Sequence, residues 1–153
     1  AAFGGKKEIM SIIGHGVAQG GTFNNNRPGV AAAYATLKTL QQQPILETIA
    51  KRGKCLIQGL QTIFEEAGIP VCMNGYPSMF SFAIGIEKPT DQRSWSQSEK
   101  DYYLNLIDFA ISRGVMPDHD PREPWFLCYA HSDQDIDESL NVMQDAVRSV
   151  KRA

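Results

Sequence analysis

The chain has 153 residues and a net charge of −2, with 42% hydrophobic and 21% charged residues, which is ordinary for one globular domain or one and a fraction. Lysine and arginine are scattered and no apolar run approaches the length of a membrane span, which excludes a nucleic-acid face, a polybasic patch and a spanning helix. Cys55, Cys72 and Cys128 are far apart and outside any C-x-x-C, so they read as reduced core thiols of a cytosolic protein. His15, His119 and His131 do not fall at metal-ligand spacing with them, and no metal site is expected.

The chain opens "AAFGGKKEIM", without an initiator Met or a signal-peptide pattern, and reads as a piece of a longer protein. Lys6 to Ile13 predicts a short helix, and the Gly and Asn content of residues 14–27 predicts a loop. Pro28 suits the first turn of a helix, because its missing N–H costs nothing there. Val30, Ala33, Leu37 and Leu40 step by three and four and predict one buried face. Pro44 punctuates. A second helix follows with the stripe Ile45, Ile49, Leu56, Leu60, Ile63 and Phe64, and Gly68 stands where a helix ends. "PVCMNGY" and "SMFSFAIG" then read as two strands joined tightly at Tyr76-Pro77. Residues 88–97 read as a polar loop.

A further helix is expected from Ser98, with Asp101 near its positive end and Gly114 closing it. "GVMP" predicts a short strand, "DHDPREP" a loop, and "WFLCYA" a buried strand. Ser132 caps the last helix, whose Ile136, Leu140, Met143, Val147 and Val150 share a face. The order predicts an α+β fold, with a small, mainly antiparallel sheet and helices on one side. The first forty or so residues share no period with that sheet.

The stretch "VAQGGTFNNNRPGVAAAYATL" is the candidate anion site. Gly20 and Gly21 let backbone N–H groups approach an anion closely, and the Thr22 hydroxyl adds a neutral donor. The helix start near Asn26 to Pro28 adds a favourable dipole if it points the same way. A turn before a capped helix is the plain alternative. "DHD", Asp118 to Asp120, reads as a solvated loop between Pro117 and Pro121 rather than an acid–base cluster. Glu123, beside the buried strand, is the better site-facing carboxylate, with surface charge or a backbone cap as its bland alternative. His131, at the junction of strand and helix, is expected to make a structural hydrogen bond, and no Cys-His or Ser-His-Asp nucleophile stands out.

Taken in order, "AFGGKKEIM", "QGGTFNNNRPGVAAAYATL", "SMFSF", "ISRGVMP" and "YAHSDQDIDESL" resemble the C-terminal part of class III pyridoxal-phosphate aminotransferases, and among them the glutamate-1-semialdehyde 2,1-aminomutase group. The resemblance covers essentially the whole chain. It implies that residues 1–43 end a large cofactor domain and that 44–153 form the small C-terminal domain of a fold-type I enzyme. It implies a homodimer in which Gly21 and Thr22 bind the phosphate of the partner subunit's pyridoxal 5′-phosphate. It puts Glu123 at a family carboxylate near the active-site mouth, against a small-molecule amino donor or acceptor.

The run Asn24-Asn25-Asn26-Arg27-Pro28 departs from the aminomutase form and is similar to relatives acting as transaminases. Aminomutase, transaminase and racemase therefore all stay open. The family's Schiff-base lysine and its pyridinium-pairing aspartate fall upstream of residue 1, and Lys6 and Lys7 stand in the wrong context. The expectation is thus a cytoplasmic, amino-group-transferring enzyme whose C-terminal piece is inactive alone. The alternative is a non-catalytic α+β interaction module that keeps the fold.

Overall fold

The computed structural model describes residues 3–152. The chain divides into two compact units, Ala1–Gln43 and Pro44–Ala153.

The first unit contains helix α1, Lys7–Met10, and helix α2, Arg27–Gln42. Between them Ile13 and Val17 meet in an isolated parallel bridge. The start of α2 is set locally. The Asn26 side chain accepts from the Gly29 N–H at 3.0 Å, and Pro28 lies in the first turn. The chain leaves α2 through an extended Gln43 whose N–H still bonds the Thr39 carbonyl, and Pro44 forbids another turn. The apolar face expected on α2 forms but is not buried. Val30, Tyr34 and Leu37 are exposed and Leu40 is only half-buried. Spacing decides which residues share a face, whereas burial needs an opposing surface, and no described residue of this unit is buried.

The second unit holds the core. Helix α3, Ile45–Glu66, buries Ile45, Leu56, Leu60, Ile63 and Phe64. It ends in a Schellman motif: Gly68, at φ +67°, donates to the Glu65 carbonyl and Ile69 to that of Phe64. Strands β1, Val71–Tyr76, and β2, Met79–Ile84, pair antiparallel with Val71 opposite Ile84 and Tyr76 opposite Met79. This register puts Val71 and Met73 beside Ile84 and Phe82 on the face that packs against the helices. Phe82 sits centrally, its ring 5.3–5.8 Å from those of Phe64, Tyr103 and Trp125. Burying each such side chain contributes about 1.5–3 kcal/mol. The opposite face leaves Tyr76, Met79 and Phe126 exposed across all three strands. Gly53 of α3 admits the hairpin turn, for a Cβ there would lie 1.9 Å from the Pro77 carbonyl oxygen.

Helix α5, Lys100–Ser112, begins two residues later than expected. Glu99 stands at its N-cap without a side-chain cap bond, because its carboxylate is paired with Arg152. Helix α6, Asp133–Ser149, opens on a capping box. Asp135 N–H donates to the Ser132 hydroxyl, and the Asp135 carboxylate accepts from the Ser132 N–H. Ile136, Met143 and Ala146 of α6 are buried against α3 and α5, with Leu140, Val147 and Val150 partly buried beside them.

Four expectations need correction. Residues 88–97 contain a short helix, α4, Gln92–Trp95, nucleated by an Asp91–Ser94 capping box that carries no apolar period. "GVMP" forms no strand, because Gly114 and Val115 donate to the Ile111 and Ala110 carbonyls in a second Schellman motif and Pro117 has no N–H. "WFLCYA" shrinks to strand β3, Trp125–Phe126, which pairs with Phe80 and Met79. On one side β2 runs into its hairpin turn, and on the other Pro124 cannot donate to the ladder. The thiols are not core residues. Cys55 and Cys128 are exposed, and Cys72 is half-buried on the strand position alternate to Val71 and Met73.

Candidate functional site

The loop before α2 is two overlapping turns. Asn24 N–H donates to the Gly21 carbonyl at 3.0 Å, and Asn26 N–H to that of Phe23 at 3.2 Å. Asn25 adopts φ +57°, which asparagine tolerates better than most residues. Gly21 lies under the Asn24 side chain, whose Oδ1 would be 3.0 Å from an added Cβ. The Gly21 and Thr22 N–H groups and the Thr22 hydroxyl have no hydrogen-bond partner among the described residues, and all are exposed. Two adjacent backbone N–H groups and a hydroxyl without partners are the kind of donors from which an oxyanion accepts. The end of α2 offers less. Asn26 takes the Gly29 N–H with its side chain and the Val30 N–H with its carbonyl, and Pro28 has none. At the helix start only the Arg27 N–H has no partner among the described residues, whereas the turn keeps those of Gly21 and Thr22.

The second candidate region is the loop between α5 and β3. The buried Tyr103 hydroxyl pins both its ends, donating to the Asp118 carbonyl at 2.8 Å and accepting from Trp125 Nε1 at 3.1 Å. Burial pushes the Tyr103 hydroxyl above its usual pKa, so it stays a donor. Inside the loop the "DHD" groups are used structurally. Asp118 accepts from the Asp120 N–H at 2.8 Å, His119 meets Asp108 at 3.0 Å, and Asp120 pairs with Arg122. Hydrogen bonds from Arg122 hold the Asp120 carboxyl down to about 2. Glu123 stands at the loop's end with its N–H on the Asp120 carbonyl at 3.0 Å, and the residue is exposed just ahead of β3. Gly21 and Thr22 thus lie in the first unit and Glu123 in the second. Among the described residues no three His, Cys, Asp or Glu side chains gather as a metal group.

A cleft of about 540 Å³ opens in the second unit. Its floor is Leu56, Val115, Trp125 and Ile136, and His131 and Asp135 stand on its rim. His131 makes the expected structural hydrogen bond, its Nδ1 accepting from the Cys128 N–H at 3.1 Å. Sequence reading missed that the same nitrogen lies 3.3 Å from Cys128 Sγ. The signal was a three-residue Cys-to-His spacing at the strand-to-helix junction, masked by reading residues 125–130 as strand.

No family model matches the chain. It is 33% identical over 152 residues to the glutamate-1-semialdehyde 2,1-aminomutase of Desulfitobacterium hafniense (strain DSM 10664 / DCB-2), covering 98% of this chain and 35% of that protein. The enzyme of the same name from Persephonella marina is 30% identical over 151 residues, covering 97% of this chain and 35% of its own length. The chain is related to the glutamate-1-semialdehyde 2,1-aminomutases. It spans about a third of the length of these aminomutases. Among solved structures, an omega-transaminase from Sphaerobacter thermophilus superposes with a TM-score of 0.78, at 24% identity, over 95% of this chain and 34% of that one. The FumI protein of Sphingopyxis sp. MTA144, solved in its PLP internal aldimine form, gives a TM-score of 0.70 at 22% identity, over 88% of this chain and 30% of that one. These two likenesses establish the shared fold.

Proposed function

We propose that this chain is part of a pyridoxal-phosphate-dependent enzyme that moves amino groups, and that its own role is to hold the cofactor phosphate and shape the substrate end of the site. The observation that carries this reading is the Gly21–Thr22 turn, with its free donors, in a chain related along 98% of its length to the aminomutases. A phosphate fits the turn because two backbone N–H groups and one hydroxyl can donate to it without a competing carboxylate in the loop. When bound, the cofactor supplies an electron sink for the amino-bearing carbon of the substrate. Gly21 gives close backbone approach, and Thr22 gives its N–H and hydroxyl. Glu123, exposed ahead of β3, would orient a cationic or hydrogen-bonding group of the substrate.

Residues 1–43 would end the cofactor domain and 44–153 would be the small domain, working in the cytoplasm as a homodimer in which the turn serves the partner subunit's cofactor. The chain alone would be inactive. A lysine that bonds a carbonyl cofactor is typically desolvated, and every lysine of this chain is exposed or half-exposed. Lys100, the least open to solvent, has its ammonium 4.9 Å from the centre of the Trp95 ring.

The test uses the whole protein loaded with pyridoxal phosphate. Given glutamate-1-semialdehyde, it should return the isomer with the amino group moved from carbon 2 to carbon 1. Given an amino acid and a separate keto acceptor instead, amino transfer between the two would assign transamination. Turnover of neither pair would contradict the proposal.

A further inference from the structure

Cys128 and His131 form a constellation in the second unit, apart in sequence from the Gly21–Thr22 turn. Beyond β3 the chain turns back on itself, the His131 N–H donating to the Cys128 carbonyl at 3.2 Å. The turn folds the imidazole over the thiol. Nδ1 lies 3.1 Å from the Cys128 nitrogen and 3.3 Å from Sγ, so two donors of one residue share one ring nitrogen. A backbone N–H can only donate, so Nδ1 carries the lone pair and Nε2 the proton. The thiol proton therefore has a basic acceptor in contact distance. When Nδ1 takes that proton, it gains the Cys128 carbonyl as an acceptor at 3.3 Å, while the freed N–H, on an exposed residue, turns to water. Asp135 is kept ionised by the Ser132 N–H and hydroxyl, and its charge also interacts with that of His131. Arg52 Nη1 donates to the Tyr129 carbonyl at 3.3 Å, one residue beyond Cys128. Cys128 is exposed, so a small reagent reaches it from solvent.

We propose that Cys128 is a modification site, a nucleophilic thiol with His131 as its proton acceptor, which reacts with small soft electrophiles. The shared chemistry is attack by a sulfur electron pair. With an alkylating agent the S–C bond forms, the carbon–halogen bond breaks, halide leaves with its electron pair, and the proton on Nδ1 passes to water. With a hydroperoxide, sulfur bonds one oxygen and the O–O bond breaks. Sulfur loses two electrons to become a sulfenic acid, the peroxide gains them, and the Nδ1 proton completes the departing water or alcohol.

Cys55, the other exposed thiol, is an internal reference on α3. The experiment treats the whole protein with limiting iodoacetamide, or with hydrogen peroxide followed by a sulfenic-acid trap, and reads Cys128 and Cys55 by peptide mass. Cys128 should be alkylated about tenfold or more faster than Cys55, a modest share of what positioned proton acceptors give. In His131→Asn a side-chain oxygen can still accept from the Cys128 N–H but cannot take the thiol proton, so the rate should fall to that of Cys55. His131→Gln serves if the first variant loses its helical circular dichroism. Trapped sulfenic acid at Cys128 adds hydroperoxides to the natural reagents, and its absence alongside fast alkylation confines them to carbon electrophiles. Cys128 no faster than Cys55, or equally fast with and without His131, would overturn the assignment.

Discussion

Helices α2 and α3 both carry an apolar stripe at helical spacing, and they end up in opposite environments. α3 buries its stripe and is tied to the sheet and to α6, whereas none of the residues of α2 is buried. α2 nevertheless forms, because Asn26 caps it, Pro28 suits its first turn, and alanines fill its middle. An amphipathic pattern therefore specifies a helix and a face. What covers the face is a separate matter, and for α2 it is not supplied within its own unit.

Truncation should separate the two units most sharply. Phe82→Ala removes a 3%-exposed ring from the centre of the core and should cost about 3–5 kcal/mol. Tyr34→Ala on α2, 68% exposed, should shift stability by less than about 0.5 kcal/mol. Chemical denaturation of both variants checks this, and equal costs would mean that α2 is buried in solution. Gly53→Ala comes next. Its Cβ would meet the Pro77 backbone rather than a movable side chain, so the substitution should destabilise by about 1–3 kcal/mol or more despite the better helix propensity of alanine. A neutral result would show that the hairpin sits away from α3.

If a second copy covers the α2 face, Leu37→Glu should weaken self-association. Withdrawing one leucine from an apolar contact is worth about 1.5–3 kcal/mol, roughly a tenfold rise in dissociation constant or more. Sedimentation across a concentration series measures it, and a monomeric wild-type chain would remove the premise.

The smallest expected effect lies in the second unit. Arg122 holds Asp120 at about 2 against an ordinary 3.8. A carboxyl depressed in the folded state stabilises the fold above its unfolded value, and that contribution disappears as pH falls through the folded one. Asp120→Asn should therefore melt slightly below wild type at neutral pH, with the gap closing between about pH 4 and pH 2. The pair is open to solvent, so the gap is small. A gap that persists unchanged at pH 2 would assign the difference to something other than this ion pair.

Features encoded by neighbouring residues were legible in the sequence. The stripe of α3, the glycines after α3 and α5, the Ser132 cap and the two-strand hairpin all lie where periodicity and turn chemistry put them. Features set by distant partners were not. The length of β3 depends on where β2 turns and on Pro124, and the exposure of α2 depends on what opposes it. At the candidate site the Gly-Thr turn could be read from residue types alone, because glycine and threonine bring their donors with them. The self-capping of α2 by Asn26 needed the geometry, as did the approach of His131 to Cys128.

The central claim is that the free donors of the Gly21–Thr22 turn hold a phosphate. The most direct test is pyridoxal-phosphate dissociation from the whole protein carrying Thr22→Ala or Thr22→Ser, with thermal stability recorded alongside. A hydrogen bond to a charged group contributes about 1.5–3 kcal/mol, or roughly one to two powers of ten in affinity. The alanine variant should lose that much, and the serine variant, which keeps the hydroxyl, much less. Unchanged cofactor affinity in Thr22→Ala would contradict the claim and leave the stretch as a turn before a capped helix.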